Sequence, residues 1–154
     1  MDLGDLVLPE RIIASLNPGS KKQLLQELAE LASEMTGAPV RRIFDKLLER
    51  ERLGPTGVGK GIAIPHATLP ELDQIFCQYV RLETPIDFDA ADNEDVDIIF
   101  LLLAPEGAGA EHLKVLARIA RVLRDEKIVD KLRCSNEISA IHTILCAPQA
   151  ARAM

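Results

Sequence analysis

Hydrophobic positions recur at helical spacing in the first third of the chain, give way to alternation and then to an almost unbroken apolar run, and return to helical spacing towards the end. A short apolar stretch at 11–16 comes first. Ser20-Lys21-Lys22-Gln23 then has the form of a capping box, a hydroxyl followed three residues later by Gln, and predicts a helix start. Leu24, Leu25, Leu28, Leu31 and Ala32 line one face of that helix against Gln26, Glu27 and Glu30 on the other, and Gly37 supplies a stop. Pro39 opens a second predicted helix, with Ile43, Phe44, Leu47 and Leu48 as its buried stripe. Arg50 and Arg52 fall in its last turn, where cations complement the helix dipole.

Gly54 ends the second helix, and 54–61 reads as a loop holding four glycines in eight residues. Ile62-Ala63-Ile64 follows as a short strand. Alternation over 74–83 predicts a longer strand, and the apolar run 96–103 predicts a central one covered on both faces. The segment 84–90 and the acidic stretch 92–95 between them are expected to form a solvated connection. Gly107-Ala108-Gly109 leads into a helix over 111–123, with Leu113, Leu116, Ala117, Ala120 and Leu123 on its buried face and His112 in its first turn. Two more helical pieces are predicted at 127–133 and 136–145. Residues 1–8 are then an N-terminal segment, 9–146 one domain, and 147–154 a flexible tail. Helix, strand, strand, helix in this order implies an α/β fold, a single-domain sandwich without internal repeats.

Composition narrows what such a domain does. Its 154 residues suffice to bury a core without a disulfide or metal, and with only 3% aromatic residues that core is aliphatic. The scarcity of aromatics also argues against base-stacking platforms, and a formal charge of −6 argues against nucleic-acid binding, which draws on clustered Lys and Arg. Cys77, Cys134 and Cys146 are odd in number and widely spaced, so each is read as a reduced, buried structural thiol. No basic region precedes an apolar run at the N-terminus, and no apolar stretch approaches the roughly 18 residues of a membrane span. The expectation is a cytoplasmic protein without membrane insertion.

The least ordinary stretch is Gly57-Val58-Gly59-Lys60-Gly61-Ile62-Ala63-Ile64-Pro65-His66, where a glycine lattice runs into a short β-branched strand that proline stops just before an imidazole. That arrangement holds one nucleophilic nitrogen at a surface. A nucleotide loop is a poor match, because G-x-x-x-x-G-K must be followed by Ser or Thr to ligate magnesium and here Gly61 follows Lys60. The flanks also disagree: a helix precedes the glycines and Ile62-Ala63-Ile64-Pro65 cannot begin one cleanly. His66, His112, His142 and the scattered cysteines have no metal-ligand spacing, and nothing marks Cys77 as an activated nucleophile. No metal or cofactor is expected.

Taken together, Glu49-Arg50-Glu51-Arg52-Leu53-Gly54, Thr56-Gly57-Val58-Gly59, Gly61-Ile62-Ala63-Ile64-Pro65-His66 and Glu111-His112-Leu113 resemble the fructose- and mannitol-type IIA domains of the phosphoenolpyruvate-dependent sugar phosphotransferase system. The resemblance runs from about Pro9 to Leu145. Arg81-Leu82-Glu83-Thr84-Pro85-Ile86-Asp87-Phe88-Asp89-Ala90 and Val96-Asp97 look most like its nitrogen-regulatory branch, whose members stand alone rather than fused to permeases. The resemblance implies a mixed central β-sheet flanked by helices. It implies that His66 is the phosphorylated histidine, that His112 and Arg50 stabilise the phosphoryl group, and that Thr56, Gly57 and Gly59 form a phosphate loop. Pro55 stands where relatives more often carry Ser, which leaves Thr56 as the loop's hydroxyl.

The same resemblance implies a donor that is a small HPr-like phosphohistidine protein, and a regulatory output through partners such as potassium transporters or sensor kinases. A sugar-uptake component serving a permease, and a binding module of the same fold that carries no phosphate, are the alternatives. The chemistry suits the residue types, since a histidine with a pKa of about 6.5 is largely neutral and nucleophilic near neutrality.

Overall fold

The structure, a computed structural model, describes residues 3–146, and the predicted tail at 147–154 lies outside them. Ser20 caps the helix α2 (Lys21–Thr36) by accepting a hydrogen bond from the Gln23 N–H, and Gly37 ends it in the left-handed region at φ 81°. α3 (Val40–Leu53) starts after Pro39 and stops at Gly54, as its sequence signals predict. Before them lie a single turn α1 (Leu3–Leu6) and the strand β1 (Ile12–Leu16).

The sheet is mixed. β5 (Phe76–Ile86) and β6 (Val96–Pro105) run antiparallel at its centre, and β1 pairs parallel with the outer edge of β5. On the other edge of β6, β3 (Ile62–Ala63) and β4 (His66–Leu69) both run parallel to it, and β2 (Gly57–Gly59) closes that side antiparallel to β3. Burial follows the pleat of β6: Ile99, Leu101 and Leu103 pack under α2 and α3 against Leu25, Leu28, Ile43 and Leu47. Ile98, Phe100 and Leu102 face the opposite layer, made by α1, α4 (Gly109–Leu123), α5 (Glu126–Arg133) and α6 (Ile138–Leu145). Both faces of β6 are therefore covered, as the unbroken apolar run requires.

Four expectations are corrected. The glycine segment is not simply a loop, because Gly57–Gly59 pairs with β3 as a tight hairpin. Its turn residues Lys60 and Gly61 both take positive φ, 57° and 80°, the geometry that lets a two-residue turn follow the twist of its strands. Groups from outside fix that turn: Asp92 accepts from the Lys60 N–H at 2.9 Å and Arg133 donates to the Lys60 carbonyl at 2.8 Å. Next, 84–90 is not a solvated connection throughout, since β5 continues to Ile86 while Phe88 and Ala90 are buried. The buried residues of α4 are Val115, Ile119, Val122 and Leu123; of the expected face Leu123 is buried and Leu116 and Ala120 are half-buried, whereas Leu113 and Ala117 are exposed, so the apolar stripe is rotated from the one periodicity selected. Cys134 is exposed and Cys146 half-buried, while Cys77 is buried in β5 with its thiol pushed up to about 12 by desolvation.

Because Leu101 sits fully buried at the centre of the doubly covered strand, Leu101→Ala is expected to cost about 2–5 kcal/mol, whereas Ile99→Val next to it costs about 0.5–1.5 kcal/mol. Urea unfolding midpoints at unchanged m-value would measure both, and equal midpoints for the two variants would contradict this packing.

Candidate active site around His66

β3 and β4 are two parts of one interrupted strand. Ile62 lies opposite Ile98 and His66 opposite Leu102, four residues further along in each strand, so the register survives the break at Ile64-Pro65. Proline has no N–H to offer the ladder, and the local hydrogen bonds are rerouted around it. The Ile64 N–H donates to the Thr56 carbonyl at 3.0 Å, and the Pro65 carbonyl accepts from Leu102 at 3.0 Å.

The Ile64 carbonyl is thereby left to the His66 ring, whose Nδ1 lies 2.7 Å from it. A carbonyl can only accept, so Nδ1 must carry the proton and Nε2 the lone pair. Arg50 agrees with that assignment, because its Nε–H, which can only donate, lies 3.2 Å from His66 Nε2. The Arg50 guanidinium is itself anchored by a 2.9 Å bond from Nη1 to the Gly54 carbonyl at the end of α3.

His112 reaches the same place from the first turn of α4. Its ring stands edge-on to His66, centroids 5.6 Å apart at 77°, and its Nε2 is buried without a hydrogen-bond partner among the described residues. Desolvation, and secondarily the Arg50 cation, hold the His66 pKa below its ordinary 6.5, although the bond to Ile64 opposes them. Burial also lowers that of His112, with His66 as the second cause. Both rings are thus biased towards neutrality, and the cation beside them belongs to Arg50.

A cleft of ≈ 230 Å³ opens over this group, lined by Lys46, Glu49, Arg50, Leu53, Thr68 and His112 around His66. It can admit a phosphoryl group. The structure brings His66, Arg50 and His112 together, but Thr56, Gly57 and Gly59 do not line this cleft. Thr56 is buried, its hydroxyl and N–H both donating to the Glu51 carboxylate. A Cβ at Gly57 would lie 2.8 Å from that of Ala90, and one at Gly59 would face the Asp92 carboxylate at 3.2 Å, surroundings unlike an anion cradle. Lys46 and Thr68 were not anticipated from the sequence. Lys46 precedes Arg50 by one helical turn, a spacing that places both on one face of α3; Thr68 would have required foreseeing β4.

Two large apolar side chains near the site are exposed. Leu53 at its edge is 83% exposed, and Leu113, next to His112, is 68% exposed. Among the described residues no group of three or more His, Cys, Asp or Glu side chains is arranged to hold a metal ion, and no helix is long and apolar enough to cross a membrane.

Known proteins resemble this chain in sequence and fold. The nitrogen regulatory protein of Bradyrhizobium diazoefficiens is 56% identical over 99% of this chain and all of its own length, and that of Pseudomonas aeruginosa is 39% identical over 93% of this chain and 94% of its own. The crystal structure of the nitrogen regulatory protein IIA-Ntr from Neisseria meningitidis superposes with a TM-score of 0.88 at 34% identity, covering 93% of this chain and 98% of that one. The family described as phosphoenolpyruvate-dependent sugar phosphotransferase system, EIIA 2, matches residues 5–147, and to that family, as a protein of the nitrogen-regulatory IIA type, the chain belongs.

Proposed function

We propose that the protein is a phosphocarrier that accepts a phosphoryl group on His66 Nε2 from an HPr-like phosphohistidine protein, and that its phosphorylation state regulates other proteins in the cytoplasm. The observation that carries this reading is the fixed tautomer of His66: Nδ1–H is committed to Ile64, and the Nε2 lone pair faces Arg50 and the open cleft. In the transfer, that lone pair forms the new P–N bond while the bond to the donor's imidazole nitrogen breaks, its electron pair leaving with the donor. The Nδ1 proton stays in place. The positive charge that develops on the His66 ring is offset by the phosphoryl oxygens and by the Ile64 carbonyl.

Catalysis of this kind asks mainly for positioning and charge stabilisation. Arg50 is already against Nε2, so a small movement of its guanidinium lets it donate to the incoming oxygens. His112 has an unused buried Nε2 beside the ring, and once protonated it donates to the phosphoryl group. Lys46 adds a cation to the wall of the cleft. The exposed apolar side chains Leu53 and Leu113 suit a docked protein face, and about −1.5 to −2 added charges at His66 give a direct reason for partners to distinguish the two states. Potassium transporters and sensor kinases are the proposed classes of regulated partner.

Incubation with phosphoenolpyruvate and the upstream carriers, followed by intact mass and acid-lability measurement, is expected to give one acid-labile phosphate on the wild type and none on His66→Ala. A wild type without acid-labile phosphate would leave the binding-module alternative in its place. For His112→Ala, acceptance persists while onward transfer slows about tenfold or more, the effect of losing a charge-assisted hydrogen bond of about 1.5–3 kcal/mol.

The pH profile carries a sign of its own. Acceptance requires neutral His66, whose pKa lies below 6.5, so the rate is expected to decline with acidification at a midpoint below pH 6.5. A midpoint at or above 6.5 in a labelling-rate titration would contradict the desolvated, Arg50-paired ring described above.

A further inference from the structure

Glu51 follows Arg50 in α3 but turns inward. It is only 7% exposed, and its carboxylate accepts from both the hydroxyl and the N–H of Thr56, the latter at 3.2 Å. Lys21, at the start of α2, pairs with the same carboxylate at 3.0 Å, donates to the Phe88 carbonyl at 3.2 Å and lies 4.5 Å from the Phe88 ring centroid. Beyond Thr56 the chain of contacts continues, since its carbonyl accepts from Ile64 N–H and the Ile64 carbonyl accepts from His66 Nδ1–H.

We propose that Glu51, held by Lys21, is a positioning residue for phosphoryl transfer: through Thr56 and the backbone of Ile64 it keeps the Ile64 carbonyl on His66 Nδ1, and so keeps Nε2 the reacting nitrogen. The inference rests on the reading of His66 as the phosphoryl acceptor. Its physical basis is the strand break. The ladder to β6 does not hold the Ile64 N–H, which goes to Thr56 instead, while the Pro65 carbonyl is held by Leu102. The carbonyl that selects the tautomer therefore lies between one anchor in the sheet and one that depends on Thr56. Thr56 in turn lies in a segment with Gly54, Gly57, Gly59 and Gly61, where the backbone has little stiffness of its own. The Glu51 carboxylate ties that segment to α3, accepting from two groups of one residue while Lys21 balances its charge.

A structural role alone would leave the imidazole tautomer untouched, so the test reads the tautomer. In unphosphorylated, ¹⁵N-labelled protein, two-bond ¹H–¹⁵N correlations of the His66 ring report which nitrogen is protonated, and far-ultraviolet circular dichroism reports the fold. Glu51→Gln replaces one acceptor by an amide nitrogen that cannot accept from Thr56 or Lys21, and is expected to populate the Nε2–H form and to slow acceptance about tenfold, within the roughly 100-fold that a small misplacement of a reacting group can cost. KM for the phosphorylated carrier should stay close to wild type, because the exposed apolar side chains are untouched. Folded Glu51→Gln with the wild-type tautomer, or with wild-type acceptance, overturns the proposal.

If Glu51→Gln does not fold, Thr56→Val decides, since it keeps the side-chain shape and removes only the hydroxyl donor. A smaller change of the same sign is expected, and an unshifted tautomer overturns the proposal. Absence of phosphate on the wild type is a separate result that removes the phosphocarrier reading before Glu51 is altered.

Discussion

The hydrogen bond from His66 Nδ1–H to the Ile64 carbonyl is the constraint on which the reactive geometry depends. A neutral imidazole has two tautomers of similar energy in water, and only one leaves Nε2 with a lone pair facing the cleft. A carbonyl within the regular ladder would be occupied by a neighbouring strand. Pro65 makes one available by interrupting β3 and β4 without shifting their register on β6, so a missing N–H becomes the means of orienting a ring. The sheet pays for the interruption with little, because the Pro65 carbonyl and the Ile64 N–H both find partners nearby.

Around that ring the electrostatics suit the proposed incoming charge. Burial and the Arg50 cation both disfavour a proton on His66, which preserves its nucleophilicity. The same cation that suppresses protonation favours a phosphoryl group, since one interaction opposes positive and attracts negative charge. His112 complements it in the opposite sense. It rests neutral beside a neutral His66, its Nε2 unpaired, and an adjacent phosphoryl group would favour its protonated, donating form. In the proposed transfer, unphosphorylated and phosphorylated sites use the same three side chains with two of them differently charged.

Much of this was legible where the signal is local. Ser20 with Gln23, Gly37, Pro39 and Gly54 mark helix ends because the side chain or backbone freedom that forms each cap belongs to that residue, and the structure places α2 and α3 accordingly. The long central strand was legible from its composition. The hairpin at Gly57–Gly59 was not, because Gly-Val-Gly carries no alternation and its turn is fixed by Asp92 and Arg133 from distant segments. Burial of Phe88 and Ala90 escaped for a similar reason: their neighbours are acidic and the apolar cover comes from elsewhere in the fold. At the site, Arg50, His66 and His112 converge only because β4 runs parallel to β6 and α4 follows β6; no spacing in the chain implies it, and the family resemblance alone joined them. Thr56 does not line the cleft, because its hydroxyl is committed to Glu51, a buried carboxylate that helical periodicity would have placed on the interior face with Leu47.

That commitment gives the adjacent pair Arg50 and Glu51 a common logic. Successive residues of an α-helix point about 100° apart, so a charged pair at a helix end can send one group outward and the other inward. Here Arg50 reaches the His66 ring directly, while Glu51 grips the segment whose backbone leads back to the same imidazole. One ring nitrogen is therefore addressed from α3 through a guanidinium, and the other through Thr56 and Ile64. A rigid displacement of the last turn of α3 would move both influences together, preserving the relation between the guanidinium proposed to meet the phosphoryl group and the carbonyl that selects the tautomer. Separating the two functions onto different elements would make that relation sensitive to every relative motion between them. Placing them on neighbouring residues couples the chemistry to one helix end, which α2 reinforces through Lys21.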